Sequence, residues 1–277
     1  MEIRLSEDPI NDYYSKNIFY RNVRHLHYPI WEEGITEYKD ASLNTSRVVI
    51  KALQVKDGDK VLDAGCGVGG TSLMIAEGFD TEVTGITVVP SQLSLAEQYA
   101  AGSPAADRVK FLLRDYTDTK FEDGSFDKIF GIESVCYAID KRDFLKEAYR
   151  LLRPKGRVAV LDAYRIKEKL SVKEEKVYKE FLDGFALDNL AFKERFHEDM
   201  ESVGFKDVKF DSKNEGVKKT LDIYYRYGTI MLPVIYLLEK ARLTYGSLGH
   251  TVSARNSKFL IEKGVLEYGV FSGEKPR

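Results

Sequence analysis

A glycine-rich turn is the first stretch of this sequence whose residue types and spacing could do chemistry. Four glycines stand within six positions of VLDAGCGVGG (Val61–Gly70), at the end of an apolar run. Gly65, Gly67 and Gly70 satisfy G-x-G-x-x-G, the spacing that brings a nucleotide against the N-terminus of a helix. Asp63 stands two residues before the first of these glycines. The turn therefore predicts a nucleotide-type ligand beside a carboxylate.

The carboxylate distinguishes two kinds of nucleotide cofactor. A nicotinamide dinucleotide carries a pyrophosphate, whose charge Asp63 would oppose across poorly solvated space. It also needs an acidic residue about 20 positions after the turn for its ribose, whereas the second strand ends in Ile86, Thr87 and Val88. A cofactor with no phosphate and a cationic end removes the conflict. S-adenosylmethionine is such a cofactor, and an NAD-dependent oxidoreductase is the alternative from a different class.

Strands and helices alternate along the chain after about residue 40. This order is typical of a parallel sheet with helices on both faces. Strands are predicted at Lys60–Ala64, Thr81–Thr87, Arg108–Leu113, Phe126–Ile132, Arg157–Ala163, Phe205–Ser212 and Val265–Gly273. A long helical insertion, roughly residues 217–263, separates the last two strands. We expect an α/β fold in a single domain, with a doubly wound, mostly parallel, seven-stranded sheet.

The ends of the predicted strands indicate where a ligand would bind. In open sheets of this kind the ligand lies beyond the carboxyl ends of the strands. The residues that follow those ends are therefore the candidates for binding and catalysis: Asp63 to Gly70, Thr87, Asp115, Glu133 and Asp162.

Composition and charge disfavour several classes of function. The chain has 277 residues with 42 Lys and Arg against 44 Asp and Glu, and its net charge of −2 gives no global attraction to nucleic acid or anionic membranes. Its two cysteines, Cys66 and Cys136, form neither a disulfide framework nor a zinc spacing. We therefore expect no metal and a reducing, cytoplasmic location. The N-terminal MEIRLSEDPI lacks the apolar segment of a signal peptide. The apolar run Gly228–Leu238 contains a proline and is too short to span a bilayer.

VLDAGCGVGG resembles motif I of class I S-adenosylmethionine-dependent methyltransferases. The likeness continues in order through GITVVPSQLSLAEQYA, FLLRDYTD, FEDGSFDKIFGIESVCYAID and FLKEAYRLLRPKGRVAVLDA, and covers about residues 40–163. The segments GIT…Q and IESVCYAID are most similar to the branch that holds sterol and geranyl diphosphate C-methyltransferases and γ-tocopherol methyltransferase. The opening YY…FY…LHYPIWEEG (Tyr13–Gly34) is similar to the same branch, although Pro29 stands in place of the usual glycine.

The resemblance implies a Rossmann-like methyltransferase fold in three parts. Residues 1–40 would form an N-terminal helical cap, and residues 41–163 would form the α/β core that binds S-adenosylmethionine. Residues 164–277 would supply a helical lid, inserted between the last two strands, together with those strands.

The resemblance also assigns cofactor contacts to residues of the cap and of the sheet edge. They are Tyr14, Tyr28, Asp63, Gly65, Cys66, Gly67, Gly69, Thr87, Gln92, Asp115, Tyr116 and Glu133. The three glycines would let the backbone approach the amino-acid end of the cofactor, and Cys66 would chiefly pack within the motif. Asp63 would anchor the same end or, alternatively, cap the next turn. The ribose would bind Thr87 and Gln92, and the adenine would bind Asp115 with its neighbour Tyr116.

Glu133 and Tyr137 are the residues that the resemblance places nearest the reacting methyl group. Glu133 would act as a base or cation stabiliser, or else as a cofactor-side group. Cys136 and Tyr137 stand where many related O-methyltransferases carry a histidine, and the absence of a histidine there weakens a mechanism that deprotonates a phenol. The insertion places Tyr224, Tyr227 and Met231 at helical spacing. These three are either core residues or part of an apolar, aromatic lid that contacts the acceptor.

The resemblance, taken with these residues, implies a small-molecule methyltransferase with a lipophilic acceptor, and C-methylation of an isoprenoid-like molecule is the leading hypothesis. Positioning alone supplies about 7–11 kcal/mol to such a transfer, and an alkene acceptor adds a need for aromatic faces and a carboxylate. N- or O-methylation of a small amine or phenol is the nearest alternative, and a catalytically silent binding module is another. The segment IESV replaces the (N/D)PP(Y/F) of nucleic-acid methyltransferases, so no nucleic-acid partner is expected. The oligomeric state stays open, with a homo-oligomer among the outcomes.

Overall fold

A seven-stranded sheet forms the centre of the computed structural model, which describes residues 24–244 and 246–277. The order across the sheet is β3-β2-β1-β4-β5-β7-β6. Within the described residues only β7 is antiparallel to its neighbours, β5 and β6. The strands are β1 (Lys60–Ala64), β2 (Glu82–Thr87), β3 (Val109–Leu113), β4 (Phe126–Ile132), β5 (Leu152–Arg165), β6 (Lys206–Ser212) and β7 (Leu266–Glu274).

Helices cover both faces of this sheet, so the predicted fold class is confirmed. They are α1 (Tyr38–Leu53), α2 (Gly70–Gly78), α3 (Pro90–Ala101), α4 (Lys141–Leu151), α5 (Val172–Gly184), α6 (Lys193–Val203), α7 (Asn214–Lys240) and α8 (Ser247–Glu262). Within the described ranges, no helix combines the length and the apolarity that crossing a bilayer requires.

Neighbouring side chains on the central strands enter two different cores. Val61 of β1 belongs to a buried cluster that contains Leu53 of α1, whereas the next residue, Leu62, belongs to a cluster that contains Phe144 of α4. This alternation follows from the two-residue period of a strand. Each such side chain contributes about 1.5–3 kcal/mol on burial. The two cores therefore hold the carboxyl ends of the strands, and the loops that follow them, in a fixed position.

The fifth strand is longer than the sequence predicts. Its predicted span is Arg157–Ala163, but β5 begins directly after α4, and Leu152 pairs with Phe126 of β4. The added residues also bond to Lys275, which directly follows β7. Lys155 N–H donates to the carbonyl oxygen of Lys275 (2.7 Å), and Lys275 N–H donates to that of Gly156 (2.9 Å). Tertiary pairing therefore extends the strand through a segment that reads locally as a turn.

The insertion between β6 and β7 consists of α7 and α8, as the sequence predicts, while its role as a lid stays a prediction. Of the predicted cap, residues 24–40 are described; residues 24–37 contain no helix, and residues 38–40 are the start of α1. Backbone hydrogen bonds fix this segment, because Trp31 N–H donates to Gly216 O of α7 at 2.8 Å. Thr220 of the same helix donates its hydroxyl to Pro29 O (2.7 Å) and accepts from the Trp31 indole (2.9 Å). The described part of the cap is thus attached to α7.

Candidate active site

The glycine turn joins β1 to α2 and leaves an open space beside its backbone. Gly65, Gly67 and Gly69 have φ values of 88°, 54° and 81°, a region that glycine adopts without strain. A Cβ on Gly65 would lie 2.5 Å from Ser134 Cβ, and one on Gly69 would lie 2.4 Å from the Phe111 ring. A Cβ on Gly67 would meet no atom within 4 Å. Protein packing therefore explains two of the glycines, and the third faces the space where a ligand would bind.

Asp63 is buried directly beneath this turn. Its Oδ2 accepts a hydrogen bond of 2.7 Å from the Ser72 hydroxyl in the first turn of α2. Burial raises the pKa of Asp63 to about 7, although the bond from Ser72 opposes the change. The carboxyl group thus ties the end of β1 to α2, which matches the alternative that it caps the next turn. A direct contact with the cofactor stays a prediction.

Four further predicted residues line one cavity: Thr87 at the end of β2, Gln92 in the first turn of α3, and Asp115 and Tyr116 just after β3. Thr87 donates its hydroxyl to Gln92 Oε1 at 3.0 Å and accepts from Val89 N–H at 3.1 Å. Asp115 Oδ1 accepts from the backbone N–H and the hydroxyl of Thr117, each at 2.7 Å. Tyr116, next in the chain, donates its hydroxyl to a backbone carbonyl of the loop after β4, at 2.8 Å. All four groups are held in place by the protein before any ligand binds.

Glu133 follows β4 directly and has a left-handed backbone, with φ at 48°. Such a conformation costs a non-glycine residue about 1–3 kcal/mol and is concentrated at functional sites. Glu133 Oε1 accepts from the Tyr268 hydroxyl at 2.6 Å and from Tyr28 N–H at 2.8 Å. The side chain lines the cavity. Burial by the surrounding protein nevertheless raises the pKa of Glu133 to about 7, although both hydrogen bonds lower it. The carboxyl group therefore changes charge near neutral pH.

Aromatic rings surround this carboxyl group. The Tyr28 ring packs against the rings of Tyr224 (centroids 5.4 Å apart) and Tyr268 (5.7 Å apart). The hydroxyls of Tyr28 and Ser257 are hydrogen-bonded at 2.7 Å, and that of Tyr224 lies 3.2 Å from the hydroxyl of Tyr38. Because the faces of such rings attract cations, the group of rings can stabilise positive charge beside Glu133.

A single cavity of about 1120 Å³ contains these groups. It is larger than the usual ligand pocket of about 300–1,000 Å³, so it has room for a nucleotide cofactor and an acceptor together. No Lys or Arg among the described residues lines it. Its wall includes a set of carboxyl groups, those of Asp115, Glu133, Asp140, Asp143, Asp162 and Asp188. The described wall therefore favours neutral or cationic ligands over anionic ones.

Comparison with protein families then identifies the chain. The profile of the family described as mycolic acid cyclopropane synthetase matches residues 4–228, most of the sequence. The chain belongs to this family. The predicted resemblance to class I S-adenosylmethionine-dependent methyltransferases is confirmed. The alternative, an NAD-dependent oxidoreductase, is not supported.

Curated relatives of the chain are also methyltransferases. The chloroplastic tocopherol O-methyltransferase of Arabidopsis thaliana is 28% identical over 223 residues, which are 78% of this chain and 63% of that protein. The chain thus covers less than two thirds of the length of the first curated relatives it matches.

Solved structures show the same fold. The cyclopropane synthase MmaA2 of Mycobacterium tuberculosis has a TM-score of 0.79 at 16% identity, with 97% of this chain and 99% of that one covered. Geranyl diphosphate C-methyltransferase of Streptomyces coelicolor has a TM-score of 0.73 at 18% identity, with the same coverage of 97% and 99%.

S-adenosylmethionine is the cofactor, and the residues present fit it. Its sulfonium and ammonium groups are cations, and the described wall has carboxyl groups but neither lysine nor arginine. The open space beside Gly67 accommodates close approach to the backbone. A pyrophosphate would instead need positive partners, which the described wall does not provide. Among the described residues we find no cluster of three or more His, Cys, Asp or Glu side chains that could hold a metal ion.

The predicted site residues fall into three groups in this family member. The cavity wall contains Tyr28, Gly65, Gly67, Thr87, Gln92, Asp115, Tyr116, Glu133, Tyr137, Tyr224 and Tyr227. Asp63, Cys66, Gly69 and Met231 do not line it; Met231 is half-buried elsewhere on α7. Tyr14 lies outside the described residues. Tyr137 donates its hydroxyl to Phe185 O at 3.0 Å, which fixes its ring in the wall. The functional roles of all these residues stay predictions.

Several residues of the wall were missed by sequence reasoning. Tyr268 of β7 is the hydroxyl partner of Glu133. Three histidines, His25, His27 and His250, also line the cavity, although no histidine stands beside Tyr137 in the sequence. Burial lowers the pKa of His27 to about 3 and that of His250 to about 4. Both are therefore neutral at pH 7 and are weak bases.

Proposed function

We propose that this chain is an S-adenosylmethionine-dependent methyltransferase that methylates a neutral, hydrocarbon-rich acceptor at carbon. The observation that carries the proposal is the position of Glu133. This carboxyl group has a pKa of about 7, accepts a hydrogen bond from Tyr268, and stands among aromatic rings in the wall of a large cavity. A base beside cation-stabilising rings is what methylation of an alkene requires.

The chemistry needs two steps, and the chain's own residues serve both. S-adenosylmethionine supplies an electrophilic methyl group on a sulfonium. Transfer of that methyl group to an alkene would form a carbon–carbon bond from the alkene's electron pair at the expense of the sulfur–methyl bond, and would leave a positive charge on the acceptor. Glu133 in its ionised form accepts a proton from the carbon next to that charge, and the carbon–hydrogen electron pair becomes the new double bond. The rings of Tyr28, Tyr224 and Tyr268 stabilise the charge between the two steps.

The charge of the wall supports a neutral acceptor. A diphosphate or phosphate group is bound in proteins by arginine, lysine or a divalent cation. None of the described residues that line the cavity is Lys or Arg. We therefore propose an acceptor without the diphosphate that the name of geranyl diphosphate C-methyltransferase includes. Isoprenoid alcohols, sterols and prenylated phenols are acceptors of this kind.

A second candidate is N-methylation of a small amine. The carboxyl groups of Asp140, Asp143 and Asp188 in the same wall would attract an ammonium group. O-methylation of a phenol is less well supported, because a neutral imidazole such as His27, with a pKa of about 3, provides little driving force for deprotonating a phenol.

The test is an acceptor screen with methyl-labelled S-adenosylmethionine and mass spectrometry of the products. The panel contains geraniol, geranyl diphosphate, a sterol, a prenylated phenol and a polyamine. Geraniol and its diphosphate share one hydrocarbon chain and differ only in the diphosphate group, and we expect the label on carbon of the neutral member. Methylation of the polyamine, with no activity on either geranyl compound, the sterol or the prenylated phenol, would refute the proposal and favour the second candidate.

A further inference from the structure

The second half of α7 carries a row of exposed apolar side chains. Ile230 is 72% exposed, Val234 45% and Leu237 63%. They follow one another at spacings of four and three residues, so they share one side of the helix with Tyr227, one turn earlier. We call these four residues the α7 face. Leaving such side chains in water is unfavourable, and contiguous apolar patches mark interaction sites.

Exposed apolar side chains are concentrated in this one region of the described chain. Eleven large apolar residues are exposed among those described, and seven of them lie between positions 225 and 243: Tyr225, Tyr227, Ile230, Val234, Tyr236, Leu237 and Leu243. The concentration distinguishes the α7 face from single apolar residues scattered over an ordinary surface.

Cationic residues stand at both ends of the α7 face. Arg226 lies one turn before Ile230, and Lys240 and Arg242 follow the last apolar turn; all three are exposed. Between positions 223 and 244 the sequence has one carboxylate, Glu239. Its Oε1 accepts from the backbone N–H of Leu248 at 2.7 Å. The region is therefore positively charged, although the whole chain carries a net charge of −2.

The α7 face is continuous with the cavity. Tyr227 is 43% exposed on the outside and also lines the cavity. Tyr224, one turn earlier, lines the cavity and packs against Tyr28 near Glu133. A single helix thus leads from the exposed apolar row to the candidate active site.

We propose that the α7 face docks on the surface of a lipid bilayer with anionic headgroups. An apolar row with tyrosines and flanking cations is the composition of segments that lie in a membrane interface, and each Lys or Arg adds attraction to anionic lipid. A second copy of the chain fits less well. Parallel or antiparallel pairing of two α7 faces would place Arg226 or Lys240 opposite another cation.

Docking by this face would place the cavity opening beside the lipid, where a hydrocarbon-rich acceptor is concentrated. This role in acceptor supply rests on the proposed function. The docking itself does not, and it is tested with neither acceptor nor S-adenosylmethionine present.

The experiment is flotation of the full chain with vesicles of phosphatidylcholine, with and without phosphatidylserine. We expect flotation with phosphatidylserine vesicles and its weakening at high salt. The double variant Ile230→Glu with Leu237→Glu should lower the partition coefficient about tenfold or more, because two apolar contacts are replaced by anions. The control matched in charge is Val172→Glu with Lys169→Gln, beside the start of α5, where Val172 is 92% exposed and Lys169 is exposed, and it should float like the unaltered protein. Equal flotation of the double variant and the control would overturn the proposal.

A fluorescent probe reports the contact directly. Cys66 and Cys136 are buried, so a bimane label will react selectively with Leu237→Cys. We expect the bimane emission to shift to the blue when phosphatidylserine vesicles are added. A label whose emission is already blue-shifted without vesicles, together with a dimer in sedimentation velocity that the double variant dissociates, would assign the face to a second copy and overturn the proposal.

Discussion

Replacement of Glu133 by glutamine should stabilise the folded protein at alkaline pH while it removes activity. Burial raises the pKa of this carboxyl group from its ordinary value of 4.5 to about 7. Below pH 4.5 the group is protonated in the folded and unfolded states, so it contributes nothing to the pH dependence. As pH rises to about 7, the unfolded state ionises first and the folded state becomes less stable. Each pKa unit is worth about 1.4 kcal/mol, so the full loss above pH 7 is about 3 kcal/mol.

Glutamine has nearly the shape of the protonated glutamate and cannot ionise. Urea unfolding followed by circular dichroism should therefore show Glu133→Gln to be about 3 kcal/mol more stable than the unaltered protein at about pH 8, and nearly equal to it at about pH 4. Glu97→Gln, on the exposed side of α3, is the control and should match the unaltered protein at both values. A Glu133→Gln variant that is equally destabilised at both pH values would refute the reasoning, because its carboxyl group would then not be held protonated.

Three further results are expected. Glu133→Gln should lower kcat by about 10²–10⁴ with the Kd for S-adenosylmethionine nearly unchanged, and a parallel loss of affinity would instead indicate a cofactor-side group. Gly67→Ala should abolish S-adenosylmethionine binding in calorimetry, whereas Gly58→Ala, also at positive φ with open space around it, should retain it; equal affinities would place the cofactor elsewhere. Tyr268→Phe should raise the pH midpoint of kcat/KM by about 1–2 units, the value of a hydrogen bond to a charged group. Tyr28→Phe keeps its backbone N–H to Glu133, so an equal shift in that variant would contradict the assignment.

The buried central strands were predictable from the sequence. The predicted bounds of Lys60–Ala64 and Phe126–Ile132 match β1 and β4 residue for residue, because short, mostly apolar runs between turn residues leave few alternatives. The start of β5 was not predictable in the same way. Its conformation near Lys155 depends on pairing with Lys275, which is distant in sequence, and local turn residues predict the opposite.

One side of the site was predictable from the rule that ligands lie beyond the carboxyl ends of parallel strands. Thr87, Asp115 and Glu133 all line the cavity, as that rule predicts. Tyr268 was missed because β7 is antiparallel, so its first residues, not its last, lie at that edge; Tyr268 pairs with Ala163 near the end of β5. The histidines of the wall come from residues 24–37 and from the insertion, where no strand end indicates their position.

The antiparallel strand also determines when the site can form during synthesis. Because β7 lies between β5 and β6, the chain leaves a gap in the sheet and returns to fill it only after α7 and α8 have been made. Until β7 has left the ribosome, β6 has no described neighbouring strand, and Glu133 lacks the hydroxyl of Tyr268. The glycine turn instead bonds to β2, which is made early, because Gly65 and Cys66 each donate a backbone N–H to Ile86 O. A nascent chain would therefore complete the side of its cavity beside the glycine turn before the side that holds the Glu133 carboxyl group.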